Sequence, residues 1–316
     1  MSSAVLSVRD LRKVYPAKKA PPFVAVDGIS FDLKKGEILG LLGPNGAGKT
    51  TTIQMLMSTL KPTSGVISYF GKNLKTHRSE VLKDVAFAST YVSLPWNLTI
   101  DQNLEVFGRL FGRAKKDWQK RKNELLERFG IYKKRGELVS RLSAGQITRL
   151  MLVKAFMVFP LIVLLDEPTA SLDPDVAKDV CDFVLEQRDQ MGVSILFTSH
   201  NMLEISEVCD RVLFLEKGKI IADDLPYNLA RSVATSKVEL VIGDGMKRAV
   251  ATAEKLQLPH QVEHRMIQIH VDEKQIATLL SALADMKVSY THITIIQPTL
   301  SDYFLHIAAR QTRESL

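Results

Sequence analysis

Residues 43–50 read Gly43-Pro44-Asn45-Gly46-Ala47-Gly48-Lys49-Thr50, between the apolar run Ile38–Leu42 and a segment with apolar residues at helical spacing over 53–60. A strand, a glycine-rich loop and a helix in this order form a phosphate-binding loop. The glycines let backbone N–H groups point inward, and the helix N-terminus adds partial positive charge. Lys49 is long enough to reach β- and γ-phosphates, and the Thr50 hydroxyl suits Mg²⁺. We therefore predict phosphate contacts from Gly43, Pro44, Asn45, Gly46, Ala47, Gly48, Lys49, Thr50 and Thr51.

The composition is that of a globular chain with about two domains. The chain has 316 residues, 46% of them hydrophobic, and its 42 basic and 35 acidic residues give a net charge of +7. This excess suits nucleotide, anionic lipid or nucleic acid without choosing among them. Cys181 and Cys209 have no paired spacing and are expected to be buried thiols. No apolar segment approaches the roughly 18 residues that cross a membrane, and no signal-peptide pattern is present, so we expect no membrane span.

Short apolar runs before the glycine loop predict antiparallel strands over residues 5–8, 23–26 and 29–33. Tyr15 is placed in the first turn, where it is either an adenine-stacking ring or a half-buried strand aromatic. In residues 91–142 the apolar residues have helical spacing, which predicts helices inserted into the sheet core. A capping box from Thr99 to Gln102 marks the start of the first helix.

Two acidic residues follow a buried strand predicted over residues 161–165. A carboxylate on Asp166 is placed to hold Mg²⁺, and one on Glu167 to orient or deprotonate an attacking water. A second buried strand, residues 193–197, leads to His200. Because ligands of open α/β sheets bind at the carboxyl ends of the strands, these groups and the glycine loop are expected at one edge. Apolar strands alternating with helices predict a mainly parallel sheet covered on both faces.

The segments at Ser143 and Asp173 each predict the start of a helix, and each is either a helix cap alone or also part of a nucleotide site. Ser143-Ala144-Gly145-Gln146 is an S-x-x-Q capping box, which any protein could use. Asp173-Pro174 places Asp at the cap and Pro in the first turn of the next helix. Only the accompanying motifs give these segments a role at a nucleotide site.

The alternation of predicted strands and helices stops between residues 226 and 236, and we place a domain boundary there. The predicted domains are residues 1–228 and a small α+β domain over 229–316, read as strand, helix, strand, helix, strand, helix. Four histidines of the second domain have no metal-ligand spacing and are interpreted as structural or surface residues: His260, His264, His270 and His292.

In combination, these motifs resemble the ATP-binding subunits of ABC transporters over about residues 4–225. The matches are Walker A at 43–50, the signature at 142–146 with Ala144 where glycine is usual, Walker B at 161–167, the D-loop at 171–173, the switch histidine at His200 and the adenine-stacking aromatic at Tyr15. More loosely, residues 297–305 resemble the end of the C-terminal domain of ATPases that serve ABC-2 type exporters.

This resemblance implies an α/β fold: a P-loop ATPase core with a mainly parallel sheet, an N-terminal antiparallel β subdomain, an inserted helical subdomain over about 91–142, and the small C-terminal α+β domain. It implies ATP and Mg²⁺ as ligands and hydrolysis by Glu167 and His200. The metal would lie near Thr50, Asp166 and Thr90. Nucleotide contacts outside the glycine loop would come from Tyr15, Ser143, Gly145, Gln146 and Asp173.

One departure from the family concerns the glutamine that usually ends the strand near residue 90. The segment here reads Ala88-Ser89-Thr90-Tyr91, and we align Thr90 with that glutamine, Ser89 being the other possibility. A hydroxyl is shorter than an amide and would reach the metal only through water. Coupling or turnover is therefore expected to differ from the family norm, whereas hydrolysis is still expected.

The resemblance also implies partners. Two copies would pair head to tail, with ATP between Walker A of one and Ser143–Gly145 of the other, and would power a separate transmembrane permease from the cytoplasmic face of the inner (plasma) membrane. No nucleic-acid partner is expected. Three alternatives remain: a non-transport ABC ATPase, which usually carries two cassettes or a long coiled coil; a P-loop kinase, which has no use for the signature; and the ATPase of a glycan exporter with a substrate-recognising tail.

Overall fold

The computed structural model describes residues 4–16, 21–89, 94–170, 172–233 and 235–314, with side chains described up to residue 307. The chain divides into two compact units, Met1–Pro226 and Tyr227–Leu316. Among the described helices, none has the length and apolar character of a membrane span.

The first unit contains most of the secondary structure. In chain order its elements are β1 (Ala4–Tyr15), β2 (Phe23–Lys34), β3 (Ile38–Leu42), α1 (Lys49–Leu56), β4 (Ser64–Tyr69), β5 (Lys72–Asn73), α2 (Arg78–Val81), β6 (Val85–Ser89), α3 (Ile100–Leu110), α4 (Lys115–Arg128), α5 (Ala144–Phe156), β7 (Ile162–Asp166), α6 (Pro174–Met191), β8 (Ser194–Thr198), α7 (Met202–Val208), β9 (Arg211–Glu216) and β10 (Lys219–Asp224). A short helix, α8 (Pro226–Arg231), follows.

The described strands of this unit form two sheets. One has the order β10-β9-β3-β8-β7-β6, in which β10 runs antiparallel to β9 and the other pairs are parallel. Every residue of β3, β7 and β8 is buried, as expected for central strands covered on both faces. The predicted P-loop core with a mainly parallel sheet is confirmed.

The second sheet, in the order β2-β1-β4-β5, is the predicted antiparallel subdomain. The prediction of separate strands over residues 23–26 and 29–33 is wrong in one respect, because both runs lie on the single strand β2. The pairing register shifts between Leu11 and Arg12, opposite Gly28, whose φ of 71° marks the irregularity. Tyr15 is the last residue of β1 and not a turn residue.

The helices α3 and α4 lie in the predicted helical block, residues 91–142, and α5 follows it. The capping box at Thr99 is present, since its hydroxyl accepts from the Gln102 N–H and the Gln102 side chain accepts from the Thr99 N–H. Trp118 of α4 is buried directly against Gly108 of α3, where an added Cβ would lie 2.6 Å from the indole ring. The glycine therefore allows the two helices to pack closely.

The second unit is a four-stranded antiparallel sheet in the order β12-β13-β11-β14, and two helices share a hydrophobic core with its strands. Its elements are β11 (Ser236–Asp244), α9 (Met246–Lys255), β12 (His260–Glu263), β13 (Met266–Val271), α10 (Ile276–Asp285), β14 (Ser289–Ile296) and α11 (Leu300–Glu314). The predicted strands and helices are present, and β12 is an addition. None of its residues is buried, so the strand has no apolar alternation that would reveal it in the sequence.

Candidate nucleotide site

The loop between β3 and α1 has the backbone of an anion cradle. Gly43, Gly46 and Gly48 have φ angles of 144°, 80° and 107°, which favour glycine. A Cβ on Gly43 would lie 2.1 Å from the Leu215 carbonyl oxygen, and one on Gly48 would lie 2.5 Å from that of Ala25. Only glycine fits these positions, and the loop leads into the N-terminus of α1, where free N–H groups favour an anion.

A cavity of about 270 Å³ lies against this loop and is lined by residues from β2, the loop, α1 and the end of β7: Phe23, Ala25, residues 45–51, Asp166 and Glu167. The Lys49 ammonium donates to the carbonyl oxygens of Gly43 at 2.6 Å and Pro44 at 3.3 Å. Burial lowers the pKa of Lys49, and the nearby carboxylates of Glu167 and Asp166 act in the opposite direction. The cavity thus combines a cationic side chain with the two acidic groups predicted from the sequence.

Asp166 is held by hydroxyl groups from the two neighbouring strands. The register places Ser89, Asp166 and Thr198 in one row across β6, β7 and β8. Thr198 donates to Oδ1 of Asp166 at 2.9 Å, and the Ser89 hydroxyl lies 3.5 Å from Oδ2. Burial raises the pKa of Asp166, with a smaller contribution from Glu167, and the Thr198 hydrogen bond opposes that rise. A cation beside this carboxylate would relieve the cost of its burial.

Glu167 and His200 are in direct contact. The Nδ1 atom of His200 lies 2.7 Å from Oε2 of Glu167, and the His200 N–H donates to the same oxygen at 3.3 Å. The Glu167 backbone has a φ of 53°, a left-handed conformation that non-glycine residues rarely adopt. Its N–H donates to the hydroxyl of Thr198 at 3.0 Å and to the Thr198 carbonyl at 3.2 Å, which fixes this conformation. The structure therefore brings the two predicted catalytic side chains together.

The signature segment begins α5 as a capping box. The Ser143 hydroxyl accepts from the Gln146 N–H at 3.4 Å, and the Gln146 side chain accepts from the Ser143 N–H at 3.1 Å. Ala144 is the first helical residue, where alanine is favourable, so the missing glycine causes no strain. A Cβ on Gly145 would lie 3.5 Å from the Leu172 side chain, so the signature segment lies beside Leu172 of the same chain. None of these four residues lines the described cavity at the glycine loop.

The remaining predicted site residues are not among those that line the described cavity. Asp173 is the N-cap residue of α6, and Pro174 follows it, but its side chain makes no capping hydrogen bond within the described helix. Thr90 lies outside the described residues. Tyr15 is exposed and stacks on Phe23, with 6.4 Å between ring centroids, and it is Phe23 that lines the cavity.

Sequence reasoning missed three residues of this site. The run that contains Phe23 predicts only a strand, and the exposure of its ring at the cavity is visible in the structure alone. From the sequence, Ser89 is only the alternative to Thr90, and Thr198 is only a residue between the predicted strand 193–197 and His200. Their hydroxyls become informative only through the register that places both beside Asp166.

The residues present fit ATP and Mg²⁺. Glycine-only positions, a helix N-terminus and Lys49 suit a triphosphate. Among the described residues, no cluster of three or more His, Cys, Asp or Glu side chains could hold a metal by itself. Mg²⁺ usually takes one or two protein ligands with phosphate oxygens and waters, and Thr50 and Asp166 line the same cavity.

Comparison with known proteins agrees with this geometry. The ABC transporter family model matches residues 26–170. The Nod factor export ATP-binding protein I of Ralstonia nicotianae is 30% identical over 315 residues, with 99% of this chain and 96% of the relative covered. The chain belongs to the ABC transporter family. As a member of this family it binds ATP and couples ATP hydrolysis to transport.

Other ABC transporter proteins match over most of their length. The bacitracin transport ATP-binding protein BcrA of Bacillus licheniformis is 29% identical over 307 residues, which cover 96% of this chain and 97% of the relative. A solved ATP-binding subunit of an ABC transporter has a TM-score of 0.66 and 25% identity, with 72% of this chain and 92% of that chain covered. The expected resemblance to ABC transporter ATP-binding subunits is thereby confirmed.

Proposed function

We propose that this chain is the ATP-hydrolysing subunit of an exporter, and that two copies close head to tail on ATP to power a separate transmembrane permease from the cytoplasmic face of the membrane. The observation that carries the proposal is the contact between Glu167 and His200 at the sheet edge that also bears the glycine loop. The relatives named for bacitracin transport and Nod factor export support export. We assign hydrolysis to residues 1–228 and an accessory role to 229–316.

The chemistry follows from the positions of these side chains. Lys49 and the backbone N–H groups of the loop bind the phosphates and stabilise negative charge that develops on them. Glu167 orients the attacking water and accepts its proton, and His200 holds the Glu167 carboxylate in place. Thr50 and Asp166 would hold Mg²⁺, with Thr90 as a further proposed neighbour, and a bound ion would neutralise charge on the phosphates.

A second copy would complete the site from the other side. The N-terminus of α5 after Ser143 presents N–H groups that suit a γ-phosphate, and Ser143, Gly145 and Gln146 do not line the chain's own described cavity. The His200 side chain is 75% exposed although it contacts Glu167, so it is open to a ligand or to the second copy. Tyr15 and Asp173 are proposed as further contacts at this interface.

Mixed dimers test whether the sites are shared. We expect a dimer with Lys49→Ala on one subunit and Ser143→Arg on the other to keep measurable ATPase activity, because both lesions fall on one composite site and the other site is intact. A dimer with both substitutions on one subunit should be inactive, because each site then carries one lesion. Two affinity tags allow each species to be purified before phosphate release is measured.

The control for this experiment is Ser143→Ala, which removes the cap without adding bulk. It should lower the free energy of unfolding by about 1 kcal/mol through loss of the helix cap. Equal activity of the two mixed arrangements would contradict shared sites and would leave Ser143 with a structural role only.

The helical block offers a surface for the permease. Val106 and Leu110 lie one turn apart on α3 and are 47% and 72% exposed, and Trp96 in the preceding loop is 55% exposed. Exposed apolar side chains that neighbour each other, as Val106 and Leu110 do along α3, indicate a protein contact. We assign this face to the transmembrane subunit.

Replacing Leu110 by aspartate should weaken copurification of the membrane subunit from native membranes at least tenfold, because a charge would be buried in an apolar contact. The ATPase activity of the isolated subunit should not change, since Leu110 does not line the described cavity. Ile221→Asp, on the exposed side of β10, is the matched control. Undiminished copurification with Leu110→Asp would exclude this face as the docking surface.

A further inference from the structure

The carboxylate of Glu204, on α7, joins the two loops that carry the catalytic pair. Its Oε2 atom accepts from the hydroxyl of Thr169 at 2.6 Å and from the hydroxyl of Ser199 at 2.8 Å. Thr169 lies two residues after Glu167, and Ser199 directly precedes His200. A single oxygen atom therefore connects the loop after β7 to the loop after β8.

The surrounding hydrogen bonds hold this connection in one geometry. Asn201 donates its side-chain amide to Oε1 of Glu204 at 3.1 Å, and its backbone N–H donates to the Ser199 hydroxyl at 3.0 Å. The Thr169 and Ser199 side chains are buried, at 6% and 2% exposure, so their hydroxyls have little access to water as an alternative partner. A charged acceptor makes such bonds roughly twice as strong as neutral ones.

Besides the Glu167–His200 contact itself, a further described bond between the two loops lies at the strand ends, where the Thr198 hydroxyl accepts from the Glu167 N–H. That bond fixes the start of each loop at the end of its strand. Glu204 instead binds Thr169, which follows Glu167 in the chain, and Ser199, which precedes His200. Its bonds therefore flank the contact between the Glu167 and His200 side chains. Farther along the loop after β7, the Leu172 N–H donates to the Thr169 carbonyl, directly before Asp173 and α6.

We propose that Glu204 is a positioning residue for ATP hydrolysis, whose carboxylate holds the Thr169 and Ser199 loops together and so keeps His200 in contact with Glu167. The inference rests on the proposed roles of those two residues. Glu204 itself does not line the described glycine-loop cavity, so it acts on the rate through the pair and not on nucleotide binding.

The test measures kcat and KM for ATP separately in the full-length chain. Glu204→Ala should lower kcat tenfold to a hundredfold, the scale of a displacement of about 1 Å in a catalytic group, with KM for ATP within about twofold of wild type. Glu204→Gln should recover most of kcat, because its carbonyl oxygen can still accept both hydroxyls. Glu207→Ala removes an exposed carboxylate from the same helix and should behave as wild type.

A double-mutant cycle checks the route of the effect. Thr169→Val should also lower kcat. Adding it to Glu204→Ala should cause little further loss of kcat, because both substitutions break the same hydrogen bond between Thr169 and Glu204. Wild-type kcat in Glu204→Ala would overturn the inference. It would also be overturned if KM rises as kcat falls, the thermal midpoint drops and Glu204→Gln does not rescue, since the residue would then serve the fold alone.

Glu167→Gln, measured in parallel, separates this inference from the proposed function. An inactive Glu167→Gln beside a fully active Glu204→Ala removes only the role of Glu204. A fully active Glu167→Gln would remove the proposed catalytic pair and the inference with it.

Discussion

Replacing Glu167 by glutamine should slow ATP hydrolysis about a hundredfold or more and leave ATP binding intact, because an amide cannot take a proton from the attacking water. The side chain keeps its size and its contact distance to His200, and the P-loop does not change. Phosphate release gives the rate, and equilibrium binding of a fluorescent ATP analogue gives the affinity. The variant should also accumulate an ATP-bound dimer, visible by size-exclusion chromatography in the presence of ATP.

Glu127→Gln is the matched control for this charge change, since Glu127 is an exposed residue of α4. It should hydrolyse ATP at the wild-type rate. Turnover near wild type in Glu167→Gln would show that another group orients the water, and His200 would be the first candidate because of its contact with the same carboxylate.

Replacing Lys49 by alanine should abolish ATP binding, and hydrolysis with it, while the fold is retained. The Lys49 side chain reaches back across the loop to the Gly43 and Pro44 carbonyl oxygens, the position in which its ammonium would meet the phosphates. Burial lowers the pKa of Lys49, and phosphate charge in the cavity would raise it again by favouring the protonated form. Removal of this cation leaves the phosphates without their principal side-chain partner.

Thermal unfolding measured with and without ATP distinguishes loss of binding from loss of structure. Wild type should be stabilised by ATP through mass action, by about 2.7 kcal/mol at a hundredfold excess over Kd, and Lys49→Ala should show no such gain. Lys120→Ala, a change at an exposed position of α4, should keep the full gain. ATP affinity near wild type in Lys49→Ala would contradict the assigned role.

Much of the fold is predictable from sequence because its signals are local. Fully apolar five-residue runs predict β3 and β7, and glycine, proline and capping residues mark where the helices begin and end. The β2 strand is less predictable, since Asp27 and Gly28 interrupt its pattern and only pairing with β1 shows that it continues. The exposed β12 has no pattern at all.

The site residues likewise fall into two groups, those that local sequence predicts and those that depend on strand pairing. Lys49, Asp166, Glu167 and His200 follow from a charged or polar residue at the end of an apolar strand or loop. Thr198 does not, because a threonine at a strand end is ordinary and its bonds to Asp166 and to the Glu167 N–H depend on the register of neighbouring strands. The aromatic that lines the cavity likewise depends on the β1–β2 pairing, which brings Tyr15 and Phe23 together.

The left-handed backbone of Glu167 has a consequence for protein engineering. A non-glycine residue in this region costs about 1–3 kcal/mol, so the residue that we propose to activate the water also subtracts from the stability of the fold. Selection for heat resistance alone would favour glycine or asparagine at this position and would return robust but inactive subunits. Directed evolution of this ATPase therefore has to select on turnover and thermal stability in the same round.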